Sequence, residues 1–319
     1  MRARPIVSVV IPTKNRNVEV QRAISSALRQ TLSDVEVIVV DDGSLDPTSP
    51  ALKHVTDPRL TFHRNDSAAG PSSARNVGTG LARGSFVAYL DSDDEWHPTK
   101  LERQVSALHR GGRGVGLSLC GYEVIDGDIR RARVPREVRA GNVVQLLDTR
   151  HEPTVTSCFV LPTALALGFC FDSTLAAYED LDLAVRISMT HDVVTTRAIL
   201  VRKYVSAERQ FSGPRIIDAR RALLAKHEGV LRDHPAVLAR QQLTVAAELA
   251  RIGRTDEAVA LLASIDGGHL SLWIRMARRF QPQTPGRLSK ALDLLRLIER
   301  FSVSGALWRY RTSRLRWQV

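Results

Sequence analysis

Cysteine, methionine and aromatic residues are all scarce: 3 Cys, 3 Met and 5% Phe, Trp and Tyr in 319 residues. Cys120, Cys158 and Cys170 stand in apolar surroundings with neither Cys-x-x-Cys nor Cys/His spacing. That pattern excludes a disulfide framework, does not indicate zinc, and predicts buried, reduced thiols in a cytosolic protein. No apolar run approaches the roughly 18 residues of a membrane span. The stretch after Met1-Arg2-Ala3-Arg4 is interrupted at Pro12 and lacks the small-residue cleavage site of a secretory leader. Acidic residues are the charged minority, with 34 Asp and Glu against 45 Lys and Arg. Nine of the eleven net positive charges lie in 274–319, and the remainder is close to neutral. A chain built as a whole to coat nucleic acid would spread that charge, so nucleic acid is not the expected partner.

What is present is globular: 44% apolar and 25% charged residues, enough length for one large domain or two. The first half alternates β-branched runs with helical periodicity. Ile6–Ile11, Val35–Val40, Leu60–His63, Phe86–Leu90 and Val115–Tyr122 read as strands. Val20, Ala23, Ile24, Ala27 and Leu28 fall on one helical face, Ser73–Arg83 reads as a second helix, and Pro98 opens a third. Such alternation predicts an α/β fold, a mostly parallel sheet flanked by helices. Residues 123–156 are irregular and charged, and predict long loops or edge strands. Tyr178–Met189 reads as a helix and Val193–Val201 as a strand. After Phe211-Ser212-Gly213-Pro214 no strand is legible, and 241–265 reads as an ordinary helix pair. The predicted division is therefore 1–212 and a helical, basic extension, 213–319.

In an open parallel sheet, ligands bind beyond the carboxyl ends of the strands. There the sequence places Pro12-Thr13-Lys14-Asn15-Arg16, Asp41-Asp42-Gly43-Ser44 and Asp91-Ser92-Asp93-Asp94. One basic loop facing two acidic ones suits a nucleotide whose phosphates are bridged by a divalent metal. Asp-x-Asp by itself says little, since chance supplies about one match in such a chain. Of the three present, only Asp91/Asp93 ends a buried strand; there the alternative is a solvated turn in which Asp94 or another acid caps the helix after Pro98. Asp126/Asp128 flank a glycine and read as a turn.

Val7–Arg16 (VSVVIPTKNR), Val37–Ser44 (VIVVDDGS), Gly70–Gly84 (GPSSARNVGTGLARG), Phe86–Trp96 (FVAYLDSDDEW) and Tyr178–Ile187 (YEDLDLAVRI) together resemble the GT-A-fold family 2 glycosyltransferases, in order and at the usual spacing, over about residues 5–205. The resemblance implies a Rossmann-like nucleotide-sugar-binding fold with the helical extension following it. It implies inverting transfer from a UDP-, GDP- or dTDP-linked sugar to a glycan or lipid-linked acceptor, in cell-surface glycan, polysaccharide or glycoconjugate biosynthesis, with Mn²⁺ or Mg²⁺ as cofactor. By this resemblance Pro12, Thr13, Asn15, Arg16 and Ser44 hold the nucleotide, Asp42 meets the base, and Arg75 lies on the base or phosphate side. Asp91 stands near ribose and metal, Asp93 binds the metal directly, Asp180 is the general base, and Glu179 positions nearby groups. Asp182, two residues on, lies about 200° round a helix from Asp180 and reads as a solvated face.

One departure from the family pattern matters. Where many members carry a metal-site His near a Tyr-Arg pair, this chain has Arg202-Lys203-Tyr204-Val205-Ser206-Ala207-Glu208-Arg209. Either Glu208 or water stands in, or Arg202, Lys203 and Arg209 offset phosphate charge instead. His191 and His227 are candidates by residue type only, and read as structural. The missing His favours a competing reading, a non-catalytic nucleotide-sugar-binding module. The basic, aromatic segment 274–319 supports another, an adaptor on an anionic membrane surface, with a cytoplasmic location at the inner membrane face. The plainer reading of that segment is helices docked on the catalytic domain.

Overall fold

A computed structural model of the chain describes residues 4–46, 55–148, 154–205 and 213–265. The elements run β1 (Val7–Thr13), α1 (Glu19–Leu28), β2 (Val35–Asp41), β3 (Leu60–Arg64), α2 (Pro71–Leu81), β4 (Phe86–Tyr89), β5 (Glu95–Trp96) and α3 (Lys100–Gly111). There follow β6 (Val115–Asp126), β7 (Ile129–Arg133), α4 (Val144–Leu147), β8 (Val160–Pro162), α5 (Thr163–Phe169), α6 (Glu179–Ser188) and β9 (Asp192–Tyr204). The described part of the extension is helical: α7 (Pro214–Lys226), α8 (Glu228–Arg232), α9 (Pro235–Arg251) and α10 (Thr255–Ser264).

β1 and β2 are buried along their whole length. Both their faces are covered, which is why they read as continuous β-branched runs rather than as alternation. Ile38 and Val40 turn to α2, against Ala74 and Val77. Val37 and Val39 join the main core, to which α1 brings Val20, Ala23, Ile24 and Ala27. The strand order is β3-β2-β1-β4-β8-β6-β9-β5, with β7 on β6. Pairing is parallel through β3-β2-β1-β4 and between β6 and β9. It is antiparallel at β4-β8, β8-β6, β6-β7 and β9-β5. The sheet is thus mixed, and its parallel half carries the predicted nucleotide-side loops.

β5 and β8 were illegible because two and three residues are too few to show a period. The charged stretch after Glu123 holds the edge strand β7, and Asp126 and Asp128 flank its hairpin turn at Gly127, with φ +55°. Among the described residues, no helix is long and apolar enough to cross a membrane. Of the three cysteines, Cys120 and Cys158 are buried, but Cys170 is exposed. It follows α5 with φ +44°, so its apolar sequence context did not mean burial.

Helix α2 lies close to the sheet because residue 78 has no side chain. A Cβ there would fall 2.4 Å from Val10 Cγ1, whereas at Gly80, on the same helix, it would meet nothing within 4 Å. Gly78→Ala is expected to overpack a stiff β-branched neighbour, costing about 1–3 kcal/mol and lowering the melting temperature by several degrees. Gly80→Ala gains helix propensity of about 1 kcal/mol and is expected to raise it. Thermal melts of the two variants check the pair.

Candidate active site

The first two loops are zipped together before any ligand is considered. Leu90 N–H donates to Val10 O at 3.0 Å. Pro12, with no N–H, cannot extend that ladder, so β1 and β4 part at their carboxyl ends. Beyond Thr13 the chain turns at Asn15, whose φ of +53° is one Asn tolerates. Its backbone N–H donates to Ser44 Oγ and its Oδ1 accepts from Leu45 N–H, both at 2.8 Å. Asp41 Oδ1 accepts from Ser44 N–H at 2.9 Å, and Arg64 bridges Asp41 Oδ2 and Ser44 O at 2.7 and 2.9 Å. Gly43 sits at φ +69° with Ala68 N only 2.9 Å from where a Cβ would stand. Asp42 is buried and accepts from Asn65 Nδ2 (2.9 Å), Ala69 N–H (3.0 Å) and Gly70 N–H (2.8 Å). Thr13 Oγ1, at the mouth of this arrangement, is buried with no hydrogen-bond partner among the described residues.

The third loop builds an acidic rim. The turn after β4 closes with Asp94 N–H on Asp91 O at 3.0 Å. Ser157 locks it from behind: its Oγ accepts from Asp91 N–H at 3.0 Å and donates to Asp94 Oδ2 at 2.6 Å. Asp91, Asp93 and Asp94 bring one carboxylate oxygen each to within 4.8 Å of one another. Asp94 is fully buried and its other oxygen, Oδ1, has no partner among the described residues. Burial, with the charges of Asp91 and Asp93 and against the pull of Lys203, pushes its carboxyl up to about 7.

Three cations face these acids. Arg16 pairs with Asp93. Arg75, only 4% exposed, donates to Asp91 Oδ1 at 2.7 Å and to Glu179 Oε1 at 2.9 Å. Burial opposes the ionised form of Asp91, but Arg75, Lys203 and Arg16 outweigh it and hold the carboxyl below its ordinary value. Lys203 on β9 is held above its usual range, first by Asp94 and then by Asp91, Asp93 and Asp180. Arg22 adds a contact from α1, donating to Asp93 O at 2.5 Å while its guanidinium lies 3.9 Å over the Tyr204 ring.

The remaining acids come from α6. Its first turn carries Glu179, Asp180 and Asp182, which suits the positive end of a helix. Asp180 is half-buried, and removal from water together with the Glu179 charge raises its carboxyl to about 7.

The structure therefore gathers Arg16, Arg75, Asp91, Asp93, Glu179 and Asp180 at one rim, joined through Asn15 and Ser44 to the Asp42 side. Several placements differ from the sequence reading. Arg75, expected on the base or phosphate side, has both its Nη groups held by carboxylates. Asp182 is not a solvated helix face: it is fully buried, accepting from Arg186 Nε (2.8 Å) and Lys226 Nζ (3.0 Å) and bonded to His227 Nε2 at 2.9 Å. Its side chain turns to α7, about 200° from Asp180 as the helical offset requires. Asp94 does not cap α3, whose N-cap is Thr99. His227 is structural, and His191 bonds to Thr190 Oγ1 rather than joining the acids. Arg202 pairs with Glu95 at 3.4 Å. Glu208 and Arg209 lie outside the described residues, as does 274–319. Ser157, Arg22 and the buried place of Asp94 among the clustered acids were missed: a lone serine and an arginine on an amphipathic helix carry no motif.

A mixed α/β sheet thus brings a joined pair of loops and a carboxylate rim to the ends of its parallel strands. Residues 8–161, just under half of the chain, match the family model for Glycosyl transferase family 2. It is 37% identical over 142 residues to the succinoglycan biosynthesis protein ExoO of Rhizobium meliloti, a match covering 44% of this chain and 40% of ExoO. It is 35% identical over 123 residues to WfgD of Escherichia coli, named as a UDP-Glc:α-D-GlcNAc-diphosphoundecaprenol β-1,3-glucosyltransferase, covering 39% of this chain and 48% of WfgD. The chain thus spans less than half the length of these curated relatives. Among solved structures it resembles S. aureus TarS 1–349 in complex with UDP-GlcNAc, with TM-score 0.64 and 16% identity over 93% of this chain and 92% of that one. It also resembles the mannosyltransferase PcManGT of Pyrobaculum calidifontis in complex with GDP-Man and Mn²⁺, with TM-score 0.58 and 17% identity over 94% of this chain and 88% of that one. At those identities the likeness is one of fold.

The buried position of Asp182 yields a stability prediction. Asp182→Ala strands Arg186, Lys226 and His227 beside an apolar core, and is expected to destabilise the fold by about 3–5 kcal/mol. Denaturant titration of the variant against the parent checks the loss.

Proposed function

We propose that the protein is an inverting glycosyltransferase that moves a sugar from a nucleotide diphosphate sugar to an acceptor hydroxyl during polysaccharide or glycoconjugate synthesis. The observation that carries the reading is the juxtaposition of a half-buried Asp180, its carboxyl near 7, with the rim of Asp91, Asp93 and Asp94. A carboxyl with that poise accepts a proton from an incoming hydroxyl near neutral pH. A single base acting opposite the leaving group gives one in-line displacement, and so inversion at the anomeric carbon.

The residues present fit a divalent cation. Three carboxylates converge, and one of them keeps a buried oxygen without a partner; oxygen ligands of this kind suit Mg²⁺ or Mn²⁺. In this reading Asp93 and Asp91 hold it, with Asp94 beside them. When bound, the metal neutralises charge developing on the leaving diphosphate. The chain's own part is orientation. Pro12, Thr13, Asn15 and Ser44 line the nucleotide side, with the unpartnered Thr13 hydroxyl available to it. Arg16 and Lys203 supply positive charge toward the diphosphate, in place of the family's His. Asp42 is largely occupied by Asn65, Ala69 and Gly70, and serves the base chiefly by fixing the backbone that walls it. Glu179, clamped by Arg75, holds the first turn of α6 at the rim.

The relatives point to the partners. WfgD is named for a UDP-glucose donor and a diphospholipid-linked acceptor, and ExoO for polysaccharide synthesis. We place this chain in the same chemical class, with a UDP-, GDP- or dTDP-linked donor and a glycan or lipid-linked acceptor. An acceptor carried on lipid would have the protein work at the inner membrane surface.

Thermal-shift and turnover assays against UDP-glucose, UDP-GlcNAc, GDP-mannose and dTDP-glucose, with Mn²⁺ or Mg²⁺, test the reading. Binding without turnover of any donor would instead establish the non-catalytic module. Asp180→Asn and Asp93→Asn are each expected to abolish transfer while melting like the parent; full activity in either variant would remove the role assigned to it. The pH profile follows from the raised Asp180 carboxyl. Its base form prevails above about pH 7, so kcat is expected to fall about tenfold per pH unit below that value.

A further inference from the structure

The family match ends at residue 161, yet the segment that carries Glu179 and Asp180 is held in place largely by helices that follow it. Tyr178, the residue immediately before that pair, has φ +66°. An aromatic residue adopts this left-handed conformation only where its surroundings enforce it. Part of the enforcement comes from α7. Arg220 Nη2 donates to Tyr178 Oη at 2.6 Å, and the guanidinium lies 4.6 Å from the centroid of the same ring. Arg220 is itself fixed from α9: its Nη1 donates to Gln241 Oε1 at 2.9 Å, and its Nε stands 3.5 Å from Glu248 Oε2.

A second tie lies one turn further along α6. Asp182 N–H donates to Tyr178 O at 2.9 Å, closing the first turn, and the Asp182 side chain is bound by Lys226 and His227. Apolar packing completes the seat, with Leu175 and Val185 buried in one cluster with Leu223, Leu231 and Val237. The opposite side of the same turn is held by Arg75 through Glu179. The pair is therefore gripped between the nucleotide domain and the extension, and neither grip alone sets its position.

We infer that α7 and α9 are part of the catalytic apparatus, and that Arg220 is a positioning residue for the Glu179–Asp180 pair. This rests on the reading of Asp180 as proton acceptor. If Arg220 is lost, Tyr178 can leave the left-handed region. The Tyr178–Glu179 peptide then rotates, and Asp180 is carried away from the acceptor hydroxyl. Donor binding uses the loops after β1, β2 and β4, which Arg220 does not touch, so the loss belongs to kcat and not to the donor KM.

The test uses the full chain. Arg220→Met removes the guanidinium, and Tyr178→Phe removes only the hydroxyl that receives it, which secures the experiment if the first variant folds poorly. With the donor that turns over fastest in the panel above, Arg220→Met is expected to lower kcat about 100-fold, as a misplacement near 1 Å can, with donor KM within about twofold. Tyr178→Phe is expected to lower it less, in the same pattern.

Hydrogen exchange supplies a readout independent of turnover. In both variants amides 179–182 are expected to exchange faster, with those of 91–94 unchanged. Unchanged kcat and unchanged exchange at 179–182 would overturn the inference, and so would a loss shared equally by donor KM and the 91–94 amides. Full transfer by Asp180→Asn would instead defeat the proton-acceptor reading, and the exchange result would still report whether Arg220 holds the turn.

Discussion

The double ion pair of Arg75 is the contact on which the site depends. One guanidinium, almost wholly removed from water, joins Asp91 at the end of β4 to Glu179 at the start of α6. These segments are far apart in the chain and nothing else described links their side chains so directly. A buried arginine with two carboxylates is satisfied in charge and in fork geometry, and its planar donors fix both partners' orientation. Removing either acid would leave a buried cation undercompensated, so Arg75 couples the acidic turn after β4 to the first turn of α6. Tyr89, next but one to Asp91, continues the same block: its hydroxyl bonds Thr79 Oγ1 at 2.8 Å, and its ring meets Phe171 edge-on.

How much of this could be read from the chain depends on the range over which each contact acts. The parallel half of the sheet was legible because burial on both faces writes itself as runs such as Val7–Ile11 and Val35–Val40. The three loops at the strand ends were legible because topology alone sends them to one edge. The antiparallel half was not: β8 exists because β4 and β6 offer it two ladders, and nothing in Val160-Leu161-Pro162 announces that. The acids themselves were found by motif, but their roles were only partly visible. By motif Asp180 was expected to be the general base and Asp182 a solvated helix face, and the second expectation failed. What separates them is the direction of one helical face, toward the rim for the first and toward α7 for the second, and that is decided by residues more than forty positions downstream.

Ser157 illustrates the same limit at the smallest scale. It has no motif, lies in a single 3₁₀ turn, and is fully buried. Yet its hydroxyl contacts both Asp91 and Asp94, and its carbonyl accepts the indole N–H of Trp96 at 2.9 Å. A turn of closely spaced acids is mutually repulsive. A neutral donor tied to the core restrains that turn without adding charge, and leaves the acids' outward oxygens to whatever enters the crevice.

Charge balance then indicates what that ligand must bring. Five carboxylates, Asp91, Asp93, Asp94, Glu179 and Asp180, share this rim with four cations, Arg16, Arg22, Arg75 and Lys203, and burial raises two of the acids, Asp94 and Asp180, to about 7. Arg75 is fully used by two of the acids, and Arg16 is engaged with a third. A diphosphate entering the same space would add negative charge to a site whose own cations are already engaged by its acids, in surroundings where water screens poorly. In the proposed reading such a ligand brings further positive charge with it, and the converging oxygens of Asp91, Asp93 and Asp94 are where a compact dication would sit. The absence of the family's His fits that proposal, because Lys203 contributes charge beside Asp94 and Asp91 where a neutral imidazole would contribute only a ligand atom.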